Sequence, residues 1–372
     1  MVVKRITHFS TGHQRNETRI HQKQCRTLSK AGYAVTFITA DGGGDASDGS
    51  IRIIDIGKPA HRLLRISWSP MVMFFACLRT RADLYHFHDP ELLPTALLLK
   101  VFGKTVIYDC HENVAGSMMD RGSLPEWMRT AVASSFRMGE RFIASQLDAV
   151  IAVSEPIRRQ FPEAKRSVVV SNYPVLSPPV TGTTPYRERE KRLVFIGNLN
   201  VIRGARYLVG ALGLVKDPDL SLTIVGRIAP DALEREVSQA PGWERVTTLG
   251  WSDKDTVDAS LNEARAGLLL FLPARNHIEA RPNKLFEYMA AGLPLIASDF
   301  ESWRDLLSGV DCALFVDPED SEAIARAMQW ITDHPVEAEA MGERGRKSVS
   351  AKFNWDEEAK VLIGLYRQIL GQ

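Results

Sequence analysis

The chain has 372 residues, of which 45% are hydrophobic, 24% charged and 8% aromatic, and its formal net charge at pH 7 is +1. Such a length exceeds one comfortable core and predicts about two domains. The composition excludes a disordered, collagen-like or disulfide-dense protein.

The apolar run MVMFFACL (Met71 to Leu78) stops at Arg79 and Arg81, far short of the roughly 20 residues that span a bilayer. At the start, MVVKRITHFSTGH sets Lys4 and Arg5 inside the apolar run without a small-residue cleavage site, so no secretory signal is expected. Cys25, Cys77, Cys110 and Cys312 are scattered with no C-x-x-C pair. That pattern fits a reducing compartment, and neither disulfides nor zinc. A cytoplasmic protein is expected. Residues 1–180 carry 23 Lys+Arg against 16 Asp+Glu, and the remainder 23 against 29. Two halves of opposite sign suggest two bodies, the first suited to anionic lipid or substrate. The basic residues are dispersed and no reader motif occurs, so nucleic acid is not expected as a partner.

In chain order, short β-rich runs alternate with amphipathic segments. KRITHFS is followed by the helix-period stretch ETRIHQKQCRTLSKAG, which Gly32 is placed to end. YAVTFITA, IRIIDI, ADLYHFHD, KTVIYDCHE, LDAVIAVSE and SVVVSNYP follow as strands. DGGGDASDG (Asp41 to Gly49) lacks a helix after it and reads as a flexible turn. From Tyr173 to Glu190 the chain is rich in proline and loses its periodicity, which marks a linker. Strands resume with RLVFIGNLN, LSLTIVGRI, VTTLGW, AGLLLFL, PLIASD and CALFVD, and after Asp333 only helices are expected. Runs such as LLLFL and VVVS do not alternate, as parallel strands covered on both faces require. The fold class is therefore α/β, with two doubly wound Rossmann-like domains, 1–175 and 192–352, joined by a linker at 176–191. In such sheets ligands bind beyond the carboxyl ends of the strands, and the two domains are expected to face across a cleft.

The segment AGLLLFLPARNHIEARPNKLFEYMAAGLPLIASDF carries the most chemistry. A strand is expected to end near Leu272, with a short helix from an Asn283 N-cap to Gly292. Its N-terminal amides and Lys284 suit a diphosphate. Glu279 and Glu287 would repel phosphate, so sugar and ribose hydroxyls are their natural partners.

This glutamate pair, in the setting EARPNKLFEYMAAGLPLIAS, resembles the signature of retaining family 4 glycosyltransferases with the GT-B fold, of the polysaccharide-assembly type. HQRNETRIHQKQCRTLSKAGYAVTFIT, YHFHDPELLPTALLLKVFGKTVIYDCHE and FNWDEEAKVLIGLYRQIL are similar to three further segments of that family. The resemblance implies an enzyme moving a sugar from a UDP- or GDP-sugar to a glycan or lipid-linked acceptor with retention, and without a cofactor. It implies that the C-terminal domain holds the donor, and that the helix within 353–372 returns to the N-terminal, acceptor-binding domain. Glu287 would bind ribose, Glu279 would face the donor sugar, and Arg203 in FIGNLNVIRGARYL would neutralise the departing diphosphate. Many relatives have a second basic residue after the glycine equivalent to Gly197. Here Asn198 stands there, with Lys284 or Arg281 as candidate substitutes. Gly226 and Trp251 fall where relatives hold the base, and Leu285 falls within the donor motif. His111 matches a histidine near donor sugar and acceptor. Rivals are a sugar-nucleotide epimerase of the same architecture and, from a different class, a non-catalytic nucleotide-sugar-binding protein.

His13, Arg19, His88 and Asp89 are acceptor-side candidates. His86 and His88 share one strand face, but no third and fourth ligand at metal spacing is evident, so no metal is expected. The segment Trp68 to Leu78, flanked by Arg62, Arg65, Arg79 and Arg81, fits equally a helix docked on the anionic inner face of the cell membrane and a buried helix with arginine ends.

Overall fold

The computed structural model describes residues 3–61, 65, 67–119, 125–176, 184–278 and 280–372. The chain divides into two compact units, one of Met1–Val175 with Trp355–Gln372 and one of Leu176–Asn354.

In the first unit β1 (Arg5–Phe9), β2 (Ala34–Thr39), β3 (Ala46–Asp48), β4 (Ile51–Asp55), β5 (Leu84–Phe87), β6 (Val106–Cys110), β7 (Ala149–Ala152) and β8 (Ser167–Val169) form one sheet. Their order is β3-β4-β2-β1-β5-β6-β7-β8, parallel throughout except that β3 runs antiparallel to β4. Every residue of β5, β6 and β7 is buried, as expected of strands covered on both faces. The chain builds outward from β1 to β4 and then returns across β1 to β5. The β1/β5 junction is thus the switch point, and in open α/β sheets ligands bind beyond the carboxyl ends of the strands at such a point.

Two local expectations need correction. Part of the segment read as a flexible turn is β3, because Gly49 at φ 57° lets Gly49-Ser50 close a two-residue hairpin onto β4. Asp41, at its start, is gripped by Arg15 through bonds of 2.6 and 2.8 Å. The first helix is not uniform either. Thr18–Cys25 is wound as a π-helix and only Arg26–Lys30 as an α-helix, while Glu17 caps the start by accepting from the Ile20 amide at 2.6 Å. Gly32, at φ 93°, follows its end as expected.

The last helix, Trp355–Leu370, belongs to this first unit. It buries Trp355, Leu362, Leu365 and Tyr366 in a cluster with Ile6, Phe37, Leu84 and Ile107. Its apolar stripe is therefore used against the sheet, at a few kcal/mol for each large side chain buried.

The second unit holds β9 (Arg192–Ile196), β10 (Ser221–Val225), β11 (Val246–Thr248), β12 (Ala266–Leu269), β13 (Leu295–Ser298) and β14 (Ala313–Val316). They pair in parallel in the order β11-β10-β9-β12-β13-β14, with the switch point between β9 and β12. β12 stops at Leu269 rather than near Leu272, because the Phe271 amide donates to the Ser298 hydroxyl at 2.7 Å and leaves the ladder. Residues 184–191, expected in the linker, pack on this unit. Tyr186 is buried in a short 3₁₀ turn and donates to the Arg265 carbonyl at 2.7 Å.

Candidate functional site

In the second unit the turn after β9 is built around backbone that only glycine allows. Gly197 has φ 114° and Gly226 φ 149°, and a Cβ on Gly226 would lie 2.1 Å from the Gly197 carbonyl oxygen. The loops after β9 and β10 therefore touch main chain to main chain. Asn200 caps the next turn by accepting from the Arg203 amide at 3.0 Å, and Gly204 (φ 70°) opens the helix Ala205–Leu214. The Arg203 guanidinium donates to the Asn198 carbonyl at 2.7 Å and lies 5.7 Å from the Phe271 ring, just past β12. Arg203 thus stands at the switch point, held from both strands that flank it. The Asn198 side chain faces the Arg227 amide at 3.4 Å.

The helix Asn283–Ala290 turns Leu285, Phe286, Tyr288 and Met289 into the core. Tyr288 reaches β9, where its hydroxyl accepts from the Ile196 amide at 2.9 Å. Lys284 and Glu287 fall on the open face, one turn apart, and their charged ends meet at 2.6 Å. Asn283 is not the cap: Pro282 takes that place, because its carbonyl closes the first turn on the Leu285 amide at 3.1 Å, and Asn283 is exposed. Leu285 is a core residue rather than a ligand-facing one, since the helix's apolar stripe points inward there. Gly292, at φ 70°, follows the helix end as expected. Trp251 is 83% exposed beyond edge strand β11. Glu279 lies outside the described residues. Its described neighbours are held by donors from the helix Glu301–Leu306: the Trp303 indole donates to the Ala280 carbonyl at 2.7 Å and the Ser302 hydroxyl to the Ile278 carbonyl.

In the first unit the carboxyl ends of β1, β5 and β6 carry a dense polar network. Asp89 accepts from the Ser10 hydroxyl and Thr11 amide at 2.6 Å, from the Gly12 amide at 3.1 Å, and from His13 at 3.0 Å. Burial opposes its ionisation, but His13, Ser10 and the amide donors outweigh that cost and hold its pKa below the ordinary carboxylate range. His13 answers in kind. Burial works against its charged form, yet Asp89, Glu17 and Asp109 raise its pKa above that of a free imidazole.

One strand over, Asp109 is buried at the end of β6. Arg19 grips it with two bonds of 2.7 and 2.9 Å, Gln24 donates at 2.7 Å, and the His111 Nε2 lies 3.0 Å away. Desolvation disfavours the Asp109 anion, but Arg19 and His111 more than compensate, so its pKa is depressed.

This arrangement changes three expectations. Arg19 is not a surface contact: the buried Asp109 carboxylate requires a cation, and Arg19 supplies it. His88 is fully buried, 3.2 Å from Asp109, and desolvation drives its pKa down to about 3. Asp89 serves the β1 loop rather than open solvent. Of the first-unit candidates only His13 and His111 reach the surface, with side chains 29% and 19% exposed. Asp109, Gln24, His8 and Tyr366 escaped the sequence reading. Asp109 had a legible signal, because residues two apart at a strand end share a face and His111 had been singled out.

The register supplies the third histidine that the sequence did not show. His8 of β1 pairs with His86 of β5, and their rings lie 4.5 Å apart between centroids. Among the described residues two groups, His8–His86–His88 and His88–Asp109–His111, bring potential ligand atoms within 4.8 Å of one another.

Comparison with known proteins matches both units. Residues 18–172 match the glycosyl transferase 4-like domain, and residues 190–334 match glycosyl transferases group 1. A glycogen synthase from Mycobacterium tuberculosis is 23% identical, covering 77% of this chain and 69% of that protein. A phosphatidyl-myo-inositol mannosyltransferase from Mycobacterium leprae is 26% identical, covering 77% and 74%. Among solved structures, sucrose-phosphate synthase from Thermosynechococcus elongatus superposes with a TM-score of 0.79 at 20% identity over 99% of each chain. Anabaena Alr3699/HepE in complex with UDP and glucose gives 0.71 at 12% identity over 98% of this chain and 100% of that one. With both of its Rossmann-like units matched, the chain belongs to the family 4-type glycosyltransferases of GT-B fold and is a glycosyltransferase.

Proposed function

We propose that this glycosyltransferase takes its sugar from a nucleoside diphosphate donor held by the second unit and passes it, with retention, to a glycan or lipid-linked acceptor bound by the first. The observation that carries the reading is the placement of Arg203 at the β9/β12 switch point, tied to Asn198 and set over Phe271. Glycosyl transfer leaves negative charge on the departing diphosphate, and a fixed guanidinium there stabilises it in the transition state. Lys284 takes the role of second cation in place of Asn198. Glu287 receives ribose hydroxyls, Glu279 the donor sugar, and Trp251 and Gly226 flank the base. His111 is the first-unit residue assigned to the sugar, with His13 beside it. These cations do the work of a divalent metal, so none is assigned to the reaction.

The UDP and glucose held by HepE make UDP-glucose the first donor to try. The decisive experiment is a thermal-shift panel of UDP-, GDP- and ADP-sugars. A donor at 100 times its dissociation constant adds about 2.7 kcal/mol. Stabilisation by one nucleotide series supports the reading; none by any series overturns it.

The M. leprae relative is named for an inositol phospholipid, and the outer surface of the first unit supports a lipid-side acceptor. Trp68, Met71, Phe75, Val101, Phe102, Trp127, Met138 and Phe142 are all exposed on or beside helices Ser69–Thr80, Leu93–Val101 and Glu126–Gln146. The first two helices contain no acidic residue, and Arg79 and Arg81 follow the apolar row. Arg62 lies outside the described residues. No described helix is long and apolar enough to cross a membrane, so contact would be peripheral. Flotation with phosphatidylglycerol vesicles but not with phosphatidylcholine vesicles is expected; flotation with neither removes this part of the reading.

A further inference from the structure

The histidines of the first unit are linked in a single ordered chain. Asp109, held as an anion by Arg19, can only accept hydrogen bonds. The His88 Nδ1, 3.2 Å from the Asp109 Oδ2, therefore carries the proton, which leaves a lone pair on the His88 Nε2. That lone pair receives the proton on the His8 Nδ1 at 3.0 Å. The His8 Nε2 then accepts from the Tyr366 hydroxyl at 3.2 Å, and the Tyr366 oxygen accepts from the His86 Nδ1 at 2.7 Å. The chain ends at the His86 Nε2, which is buried with no partner among the described residues. These tautomers follow from the hydrogen-bond network by elimination.

The same carboxylate meets His111 on its open side. Because Asp109 accepts, the His111 Nε2 at 3.0 Å must be the donor, and its Nδ1 keeps a lone pair. We propose that Asp109 is a positioning residue: it fixes the tautomer and ring orientation of His111 so that the Nδ1 lone pair is presented to a substrate hydroxyl. This rests on His111 meeting the sugar, as proposed above. Arg19 and Gln24 hold the carboxylate from the π-wound first helix, and His88, His8 and Tyr366 hold it through the chain. The remaining ionisable neighbours are His13, whose ring centroid is 5.3 Å from that of His111, with Asp89 behind it, and Cys25 and Tyr33 beside Tyr366. A carboxylate that orients an imidazole through one ring nitrogen governs the chemistry of the other.

The three core histidines also have the outline of a metal set. Five of their six ring nitrogens, however, are already bonded to one another, to Tyr366 or to Asp109. A divalent ion would add charge to a core that already holds Arg19 and has Asp109 as its compensating anion.

The test is ring-nitrogen NMR of the full chain labelled with ¹⁵N-histidine, combined with kinetics on the donor found by thermal shift. In the unsubstituted protein His111 should show one tautomer, protonated at Nε2. Asp109→Asn should lose that single tautomer and lower kcat on the order of a hundredfold or more, with donor affinity within about twofold of its starting value. Asp109→Asn leaves Arg19 unpaired, so R19Q/D109N, which removes both charges, should give the same loss of tautomer. An Nδ1-protonated His111 in the unsubstituted chain, or an unchanged tautomer and kcat in both variants, overturns the proposal. So does one zinc per chain displacing the ring protons of His8 and His88. The NMR result stands whether or not a nucleotide sugar binds, so failure of this proposal and failure of the donor assignment are separable.

Discussion

The Lys284 ammonium and the Glu287 carboxylate meet at 2.6 Å across one turn of the helix Asn283–Ala290, on the face turned away from the core. In the proposed function Lys284 meets the diphosphate and Glu287 the ribose. Both side chains are about one-third exposed, so the pair contributes at most about 1 kcal/mol to stability. Glu287→Ala should accordingly leave the melting temperature nearly unchanged. It should weaken donor binding by roughly 10- to 100-fold, the loss expected for hydrogen bonds to a charged group. Isothermal titration with the nucleotide sugar selected by thermal shift checks both statements.

His111 should behave in the opposite way. It lies in the first unit, 19% exposed, and makes its bond to Asp109 rather than to any group assigned to the nucleotide. His111→Ala is expected to lower kcat while the donor dissociation constant stays within a few-fold. Equal loss of donor binding in His111→Ala and Glu287→Ala would break the division of labour between the units.

Arg203 tests the leaving-group assignment. Its guanidinium donates to the Asn198 carbonyl and lies over the Phe271 ring, and a lysine ammonium is a compact point charge without the planar, multi-donor guanidinium head. Arg203→Lys should therefore keep part of the charge effect, and Arg203→Ala should lose roughly 10²- to 10³-fold in kcat. A comparison of the two in steady-state kinetics separates geometry from charge.

Glu140 predicts a pH dependence of stability that is independent of catalysis. Burial pushes its pKa up to about 7, against the smaller opposing effects of the Tyr108 hydroxyl, which donates at 2.8 Å, and of Arg137. In the folded chain Glu140 keeps its proton to a higher pH than in the unfolded chain. Its contribution is thus fully present below about pH 4.5 and is lost as pH rises through 7, by about 3 kcal/mol in all. Urea titrations between pH 5 and 8 should show this decline. Glu140→Gln, which stays neutral and can still accept from Tyr108, should flatten it.

Gly226 tests the loop packing. Alanine there would place its Cβ 2.1 Å from the Gly197 oxygen in a backbone that side chains avoid. Gly226→Ala should cost about 2 kcal/mol or more and weaken donor binding through the displaced Gly197–Arg203 turn, as read by urea unfolding and titration together.

Much of this protein is written locally. Unalternating apolar runs such as AVIA and LLLFL require strands covered on both faces. Gly197, Gly204 and Gly292 mark turns through the backbone they permit, and the glutamate motif carries the family resemblance of the second unit. Those signals survive in sequence because each lies within a few residues of its cause. What tertiary structure alone decided is which distant groups meet. His8 stands beside His86 through parallel register across 78 positions, and Tyr366 joins them from the last helix. Arg19 is an acceptor-side candidate by sequence, and in the structure it is buried against Asp109, 90 positions away, whose buried carboxylate needs a cation. Burial and pairing of charges depend on the whole packed sheet, so no window of sequence contains them.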